Sequence, residues 1–227
     1  IDLDSQGNAS TGLGISRAER QKSSYDLFFD TTINITDWAQ ATRVPKLSII
    51  PGTTELSGAE LELVGEERRE FRLREAFKRG SNAYDYIILD CPPSLSLITL
   101  NALVASDAVL IPLQAEFYAL EGLSHLTKTI ERVRKTFNPK LEIQGLVLTM
   151  VDKRNRLSDQ VETDVREHFG DLVYKTVIPR NVRMSEAPSH GLPAIVYDLK
   201  CVGSQAYLNL ARELIKRERT LAAERAA

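Results

Sequence analysis

Tyr86-Ile87-Ile88-Leu89-Asp90-Cys91-Pro92-Pro93 decides the fold when it is read beside Ile1-Asp2-Leu3-Asp4-Ser5-Gln6-Gly7-Asn8. Each is a short apolar run that ends on a carboxylate and passes into turn-forming residues. A strand of this kind delivers its acid to the carboxyl end of a sheet, where open α/β folds bind their ligands. The run Ile87-Ile88-Leu89 does not alternate, which predicts a strand covered on both faces.

Outward from these two runs, short apolar segments alternate with longer amphipathic ones, the pattern of repeated βα units and a mostly parallel, doubly wound sheet. Strands are predicted at Leu47–Ile50, Tyr86–Asp90, Ala108–Leu113, Gly145–Val151 and Val173–Ile178. Helices are predicted at Glu60–Arg79, Ser94–Val104, Ala119–Thr136, Ser158–Phe169 and Ser204–Glu218. Pro92-Pro93-Ser94 is a helix start signal, since Pro suits a first turn and Ser can cap. The reading gives one α/β domain over 1–217 and a charged helical tail over 218–227.

Composition narrows the function classes. At 227 residues with 43% hydrophobic side chains, the chain can bury a substantial core. Its formal net charge of −2 excludes a bulk basic attraction to nucleic acid, so any DNA contact has to come from a local patch. Cys91 and Cys201 lack metal-ligand spacing and suit a reducing cytosol. His125, His168 and His190 are scattered. No apolar run approaches the ~20 residues of a membrane span, and no basic segment followed by an apolar one opens the chain.

Four stretches in order resemble the ParA-type partition ATPases, the MinD/ParA branch of P-loop NTPases with a deviant Walker A. They are Asp2–Gly14, Leu56–Leu63, Asp90-Cys91-Pro92-Pro93 and Ile178-Pro179-Arg180-Asn181-Val182-Arg183-Met184-Ser185-Glu186-Ala187-Pro188-Ser189-His190-Gly191. The likeness runs from Ile1 to about Arg217, with Ser5 where the family usually has Pro. In that family a strand, a Lys-Gly-Gly-x-Gly-Lys-Thr loop and a helix come before the point matched by Ile1. These 227 residues contain no such loop. The expectation is a P-loop NTPase-like fold with its first βα unit absent, and a chain inactive by itself.

The resemblance implies ATP and Mg²⁺ as cofactors. It makes Asp4 the residue that positions the attacking water and Asp2 a support of the phosphate and Mg²⁺ region. Asp90 becomes the Walker-B carboxylate that holds Mg²⁺ through water, with Asp4 beside it. Pro179, Arg180, Asn181, Met150 and Asp152 are implied around adenine, and Arg183, Arg180 and Lys200 on DNA. For each a plainer reading stands open. Asp90 can cap the helix that follows, Asp2 and Asp4 can bond their own turn, Gly7, Gly12 and Gly14 can be ordinary turns, and the basic residues can be solvated surface charge. Val202 stands where some members carry a second basic residue.

The implied activity is ATP hydrolysis that switches an ATP-dependent homodimer bound non-specifically to DNA, stimulated by a ParB-like centromere-binding partner, in the cytoplasm on the nucleoid. A plasmid or protein cargo in place of the chromosome is the nearest variant. A DNA- or partner-binding protein without nucleotide chemistry is the rival. MinD relatives end in a membrane-docking helix, and here the apolar stripe Tyr207, Leu210, Ala211, Leu214 and Ile215 stops before a mixed-charge tail. The stripe is therefore expected to pack on the sheet, with no membrane partner.

Overall fold

The computed structural model of the chain describes residues 1–30, 32–116, 119–152 and 154–226, without the side chains at 221, 222 and 224–226. It divides into two compact units. The first comprises Ile1–Asp107, Ile130–Leu141 and Ala187–Pro193, and the second comprises Ala108–Thr129, Glu142–Glu186 and Ala194–Ala227.

In the first unit the order is α1 (Asn8–Gly12), α2 (Asp26–Phe29), α3 (Ile35–Trp38), β1 (Gln40–Ala41), β2 (Ser48–Ile49), α4 (Leu56–Leu63), α5 (Arg72–Ala76) and α6 (Leu97–Ala105). Three extended runs meet at residues 1–4. Asp2 N donates to Ile50 O at 3.0 Å, Leu3 N to Asp90 O at 2.8 Å, and Asp90 N to Ile1 O at 2.9 Å. The pairing with Asp90 is parallel, as expected, but it is a single bridge rather than a full strand over Tyr86–Asp90. β1 and β2 pair antiparallel, which departs from the expected parallel pattern. Leu3, Leu27, Phe28, Ile50, Leu63 and Leu73 form the centre of one buried cluster. Each such side chain contributes about 1.5–3 kcal/mol through burial.

Two expectations fail here for local reasons. The continuous helix over Glu60–Arg79 is broken into α4 and α5, because Arg68 adopts a left-handed φ of 54° just beyond Gly65. A non-glycine residue there cannot continue a right-handed helix. The run Ile87-Ile88-Leu89 is not covered on both faces: Ile88 is 74% exposed and Tyr86 55%. Its Ile88 carbonyl accepts from the Ile1 amino group at 2.7 Å, and the bridge beyond it joins Asp90 to Asp2. α6 begins at Leu97 rather than Ser94, with Ser96 in the extended N-cap position.

The second unit carries β3 (Ala108–Gln114), the start of α7 (Ala119–Thr136), β4 (Glu142–Thr149), α8 (Arg156–Phe169), α9 (Val182–Glu186), α10 (Ala194–Tyr197) and α11 (Val202–Ala226). β3 and β4 are parallel, with a one-residue register slip: Val109 pairs with Ile143 and Leu110 with Gly145, so Gln144 is the extra residue on β4. β4 starts three residues before the expected strand and ends at Thr149, because Met150 takes a left-handed φ of 55°. The segment 173–178 joins β4 by Tyr174 N to Leu146 O at 2.8 Å and Ile178 N to Leu148 O at 2.8 Å, without forming a full strand.

α11 packs on this layer through Ala206, Leu210 and Leu214 against Val147, Tyr174 and Ile178. The contact stripe follows i, i+4, i+8, so Tyr207 and Ile215, at 41% and 38% exposure, fall off it. Two polar residues lock the helix down. Glu213 accepts from Lys175 N at 2.8 Å and Thr176 N at 3.0 Å. Arg217 lies over the Tyr174 ring at 4.0 Å and donates to Asp171 O and Val173 O, both at 3.0 Å. We expect Arg217→Ala to lower the unfolding free energy by about 2 kcal/mol in urea titrations, with Arg217→Lys losing less because it keeps the cation over the ring.

Candidate functional site

Asp2 and Asp4 leave the same short extended run in different directions. Asp2 turns inward and is fully buried. Its Oδ2 accepts from Ser10 N at 2.9 Å and Ser10 Oγ at 2.6 Å, and its Oδ1 accepts from Asp4 N at 3.2 Å. Asp4 turns outward and stays half-buried. Its Oδ1 accepts from Gln6 N at 3.0 Å, and its carbonyl accepts from Gly7 N at 2.9 Å. Asp4 Oδ2 has no protein donor among the described residues.

Asp90 is the parallel neighbour of Asp2. The residue keeps solvent contact, yet partial burial of its carboxyl, followed by the nearby Asp2 charge, pushes its pKa upward. Asp4 adds to the same push. Three acids therefore lie along the strand ends of the first unit, close enough for Asp2 and Asp4 to disfavour the charge on Asp90. The plainer cap reading for Asp90 finds no support in the start of α6, which lies seven residues on with Ser96 as its N-cap.

Gly7, one of the three glycines read as possible turns, and Gly52 allow close backbone approach around Asp4. Gly7 has φ 65°, and a Cβ there would lie 2.0 Å from Arg20 Nη1 and 2.9 Å from Gly52 O. A side chain at Gly52 would stand 2.6 Å from the Asp4 carbonyl. Both positions are closed to any larger residue by the packing of the Asp4 turn.

In the second unit, residues 150–152 pair with 178–180. Val151 N donates to Ile178 O at 3.1 Å and Arg180 N to Val151 O at 3.0 Å, which brings Met150, Asp152, Pro179, Arg180 and Asn181 into one surface segment. Met150 is exposed and strained at its left-handed φ, a conformation that costs a non-glycine residue about 1–3 kcal/mol. Both Asp152 oxygens are engaged by Arg154, at 2.9 and 2.8 Å. Those bonds hold the Asp152 carboxyl down at about 2.

The basic residues differ in availability. Arg183 is bound to Glu186 at 2.8 Å and faces Asp198 at 3.6 Å, while its side chain stays 53% exposed. Arg180 and Lys200 are exposed. Arg154, which sequence reasoning did not single out, is 88% exposed and stands within electrostatic reach of Asp152 together with Arg180.

Ser10, Arg20 and Gly52 were also missed. Ser10 is fully buried and Arg20 nearly so, with Arg20 donating to Gly52 O at 3.1 Å, Thr11 Oγ1 at 2.7 Å and Ile15 O at 3.0 Å. A lone Ser and a lone Arg carry no motif, and only the folded turn shows what they hold.

The parallel strands and the acids at their carboxyl ends define the class, a P-loop NTPase-like α/β fold. A family model described as an AAA domain (AAA_31) matches residues 1–143. The chromosome partitioning protein ParA of Caulobacter vibrioides is 58% identical over 221 residues, covering 96% of this chain and 82% of that protein. The chromosome-partitioning ATPase Soj of Treponema pallidum is 45% identical over 218 residues, covering 96% and 85%. A cobyrinic acid a,c-diamide synthase from Mycobacterium smegmatis, solved with an ATP analogue and magnesium, superposes with a TM-score of 0.72 at 31% identity over 86% of this chain and 76% of its own. The chain belongs to the ParA family of chromosome-partitioning proteins.

The family implies ATP and Mg²⁺, and the donor set fits a metal that arrives with its nucleotide. Among the described residues no cluster of three or more His, Cys, Asp or Glu side chains could hold a metal ion by itself. Mg²⁺ characteristically takes one or two carboxylates, with water and phosphate completing its shell. Asp90 and Asp4 are the two carboxylates that the resemblance would assign to it.

Because the Asp90 pKa is raised on folding, its ionisation weakens the folded state. The stability it contributes is complete below the ordinary Asp range and is lost as pH rises through the raised value. Asp90→Asn, without divalent cation, is expected to melt above the parent at pH 7.5, with the gap closing as pH falls towards about 4. Thermal melts across that range check it, and equal melting temperatures at pH 7.5 would contradict it.

Proposed function

We propose that this chain is the greater part of an ATP-hydrolysing switch for DNA segregation. In this reading it dimerises on ATP, binds DNA non-specifically, and hydrolyses ATP when a ParB-like centromere-binding partner engages it on the nucleoid. The observation that carries the proposal is the outward carboxylate of Asp4, with one oxygen free of protein donors among the described residues, near a solvent-accessible Asp90 whose pKa is pushed upward, in a chain 58% identical to a ParA.

Mg²⁺-ATP supplies the electrophilic phosphorus and the charge neutralisation of phosphoryl transfer. The chain's own residues orient and exclude. Asp4 accepts a hydrogen bond from the attacking water and fixes its direction, a contribution of geometry rather than of proton affinity. Asp90 would hold the metal, while Asp2, fully buried, acts on Asp4 rather than on the nucleotide. In the second unit, the backbone around Pro179, with Met150, Arg180 and Asn181, contacts the base. Asp152 joins that contact by yielding an oxygen from Arg154. Arg183, Arg180 and Lys200 meet phosphates of DNA.

The sequence contains no Lys-Gly-Gly-x-Gly-Lys-Thr loop, so these residues alone are proposed not to turn over ATP. The second reading is a binding protein without nucleotide chemistry.

Calorimetry with Mg²⁺-ATP separates them, on this chain and on a version carrying the relatives' N-terminal βα unit ahead of Ile1. Binding and turnover by the extended version alone support the proposal. Binding by neither supports the non-catalytic reading, and turnover by the present chain overturns the assigned need for the loop. For DNA, the double substitution Arg183→Ala and Lys200→Ala in the extended version should weaken binding equally across sequences. It should also reduce the slope of log affinity against log salt by about two. An unchanged slope would remove both residues from the interface.

A further inference from the structure

The turn that presents Asp4 is held from behind by a buried polar relay. Ser10 Oγ donates to Asp2 Oδ2 at 2.6 Å and accepts from Gly52 N at 3.0 Å, so one hydroxyl joins two chain segments. Ser10 N gives a second bond to the same Asp2 oxygen at 2.9 Å. The other Asp2 oxygen receives Asp4 N at 3.2 Å. Beneath them Arg20 ties Gly52 O, at 3.1 Å, to Thr11 Oγ1, at 2.7 Å, and so holds the two segments that Ser10 bridges.

We infer that Ser10 is a positioning residue for the hydrolytic carboxylate, acting through Asp2 on the direction of Asp4. The inference rests on the hydrolase reading above. Three features carry it. First, Asp4's own side-chain and carbonyl bonds, to Gln6 N and Gly7 N, lie inside its turn and move with it. The Asp2 oxygen is what anchors the Asp4 amide to a group fixed elsewhere. Second, Asp2 is fully buried, so its rotamer is set by its donors, and two of its three come from Ser10. Third, the relay leaves no slack: a Cβ on Gly52 would stand 3.0 Å from Asp2 Oδ1 and 2.6 Å from the Asp4 carbonyl. A buried carboxylate with its donors is dearer in desolvation than an apolar contact that merely joined the same segments. What the relay adds is direction.

Ser10→Ala removes one of the three Asp2 donors and leaves Gly52 N–H without its acceptor, while the residue-10 amide and Asp4 N still reach Asp2, so the variant loosens the relay and unties it from Gly52. Ser10→Thr keeps the hydroxyl and serves as the rescue, and Ser10→Cys replaces Ser10→Ala where that variant does not fold. In the extended protein, kcat and nucleotide affinity are measured with Mg²⁺-ATP, alongside melting temperature. In both versions, amide hydrogen exchange is followed at Asp4 and Gly7.

The inference predicts that Ser10→Ala lowers kcat by about tenfold to a hundredfold. Nucleotide affinity should stay within about twofold, exchange at Asp4 and Gly7 should accelerate, and Ser10→Thr should restore kcat. An unchanged kcat overturns it. So does a fall in kcat matched by equal losses of affinity and melting temperature, which marks a general structural role. If the unsubstituted extended protein is inert towards ATP, the hydrolase reading is what fails. Exchange then judges the relay alone: unchanged protection at Asp4 and Gly7 overturns it, and accelerated exchange on Ser10→Ala upholds the control of the turn.

Discussion

A carboxylate at Asp2 with no contact to solvent organises the first unit. A buried, unpaired charge would cost several kcal/mol, so the chain has to bring donors to it. It does so from the Asp4 amide and from Ser10 in the first turn of α1, with the segment ending at Gly52 tied in through Ser10. The strand pairing works in the same direction, since Asp2 N reaches Ile50 and Leu3 N reaches Asp90. The consequence is a fixed turn from which Asp4 points outward, with one oxygen uncommitted. Rigidity behind the site and freedom in front of it are what a water-orienting residue needs.

The second unit solves a different problem. Its parallel pair β3–β4 and the segment 173–178 are covered by α11, which carries few large apolar residues on the contacting face. Glu213 and Arg217 compensate by bonding backbone groups at the start of that segment, and Arg217 also stacks on the Tyr174 ring. The charged part of the helix is therefore part of the packing. Past Thr149 the chain takes a strained conformation at Met150 before pairing with Pro179. Strain of this kind persists where surrounding structure over-determines it, and the segment implied to meet adenine is such a place.

Much of the fold was legible because the signals were strong and local. α7 occupies the span that its periodicity indicates, and β3 extends the expected strand by one residue. The breaks were not legible. Nothing in Val64-Gly65-Glu66-Glu67-Arg68 marks Arg68 as left-handed, and the apolar spacing on either side suits one continuous helix. Ile88 was read as covered because an unalternating run suits a sheet with two covered faces, whereas cover depends on what else packs there. At the candidate site the carboxylates were readable from their place at the ends of apolar runs. Ser10 and Arg20 were not, because a buried hydrogen-bond partner has no pattern until the turn around it closes.

The account stands on the strand-end carboxylates of the first unit being where a metal–nucleotide complex meets this chain. Substituting Mn²⁺ for Mg²⁺ turns the metal into a local probe, since it broadens NMR signals of nearby amides. With Mn²⁺-ATP added to the version carrying the N-terminal βα unit, the account predicts selective broadening of residues 4–8 and 90–92. Broadening centred elsewhere, with those amides untouched, would contradict it.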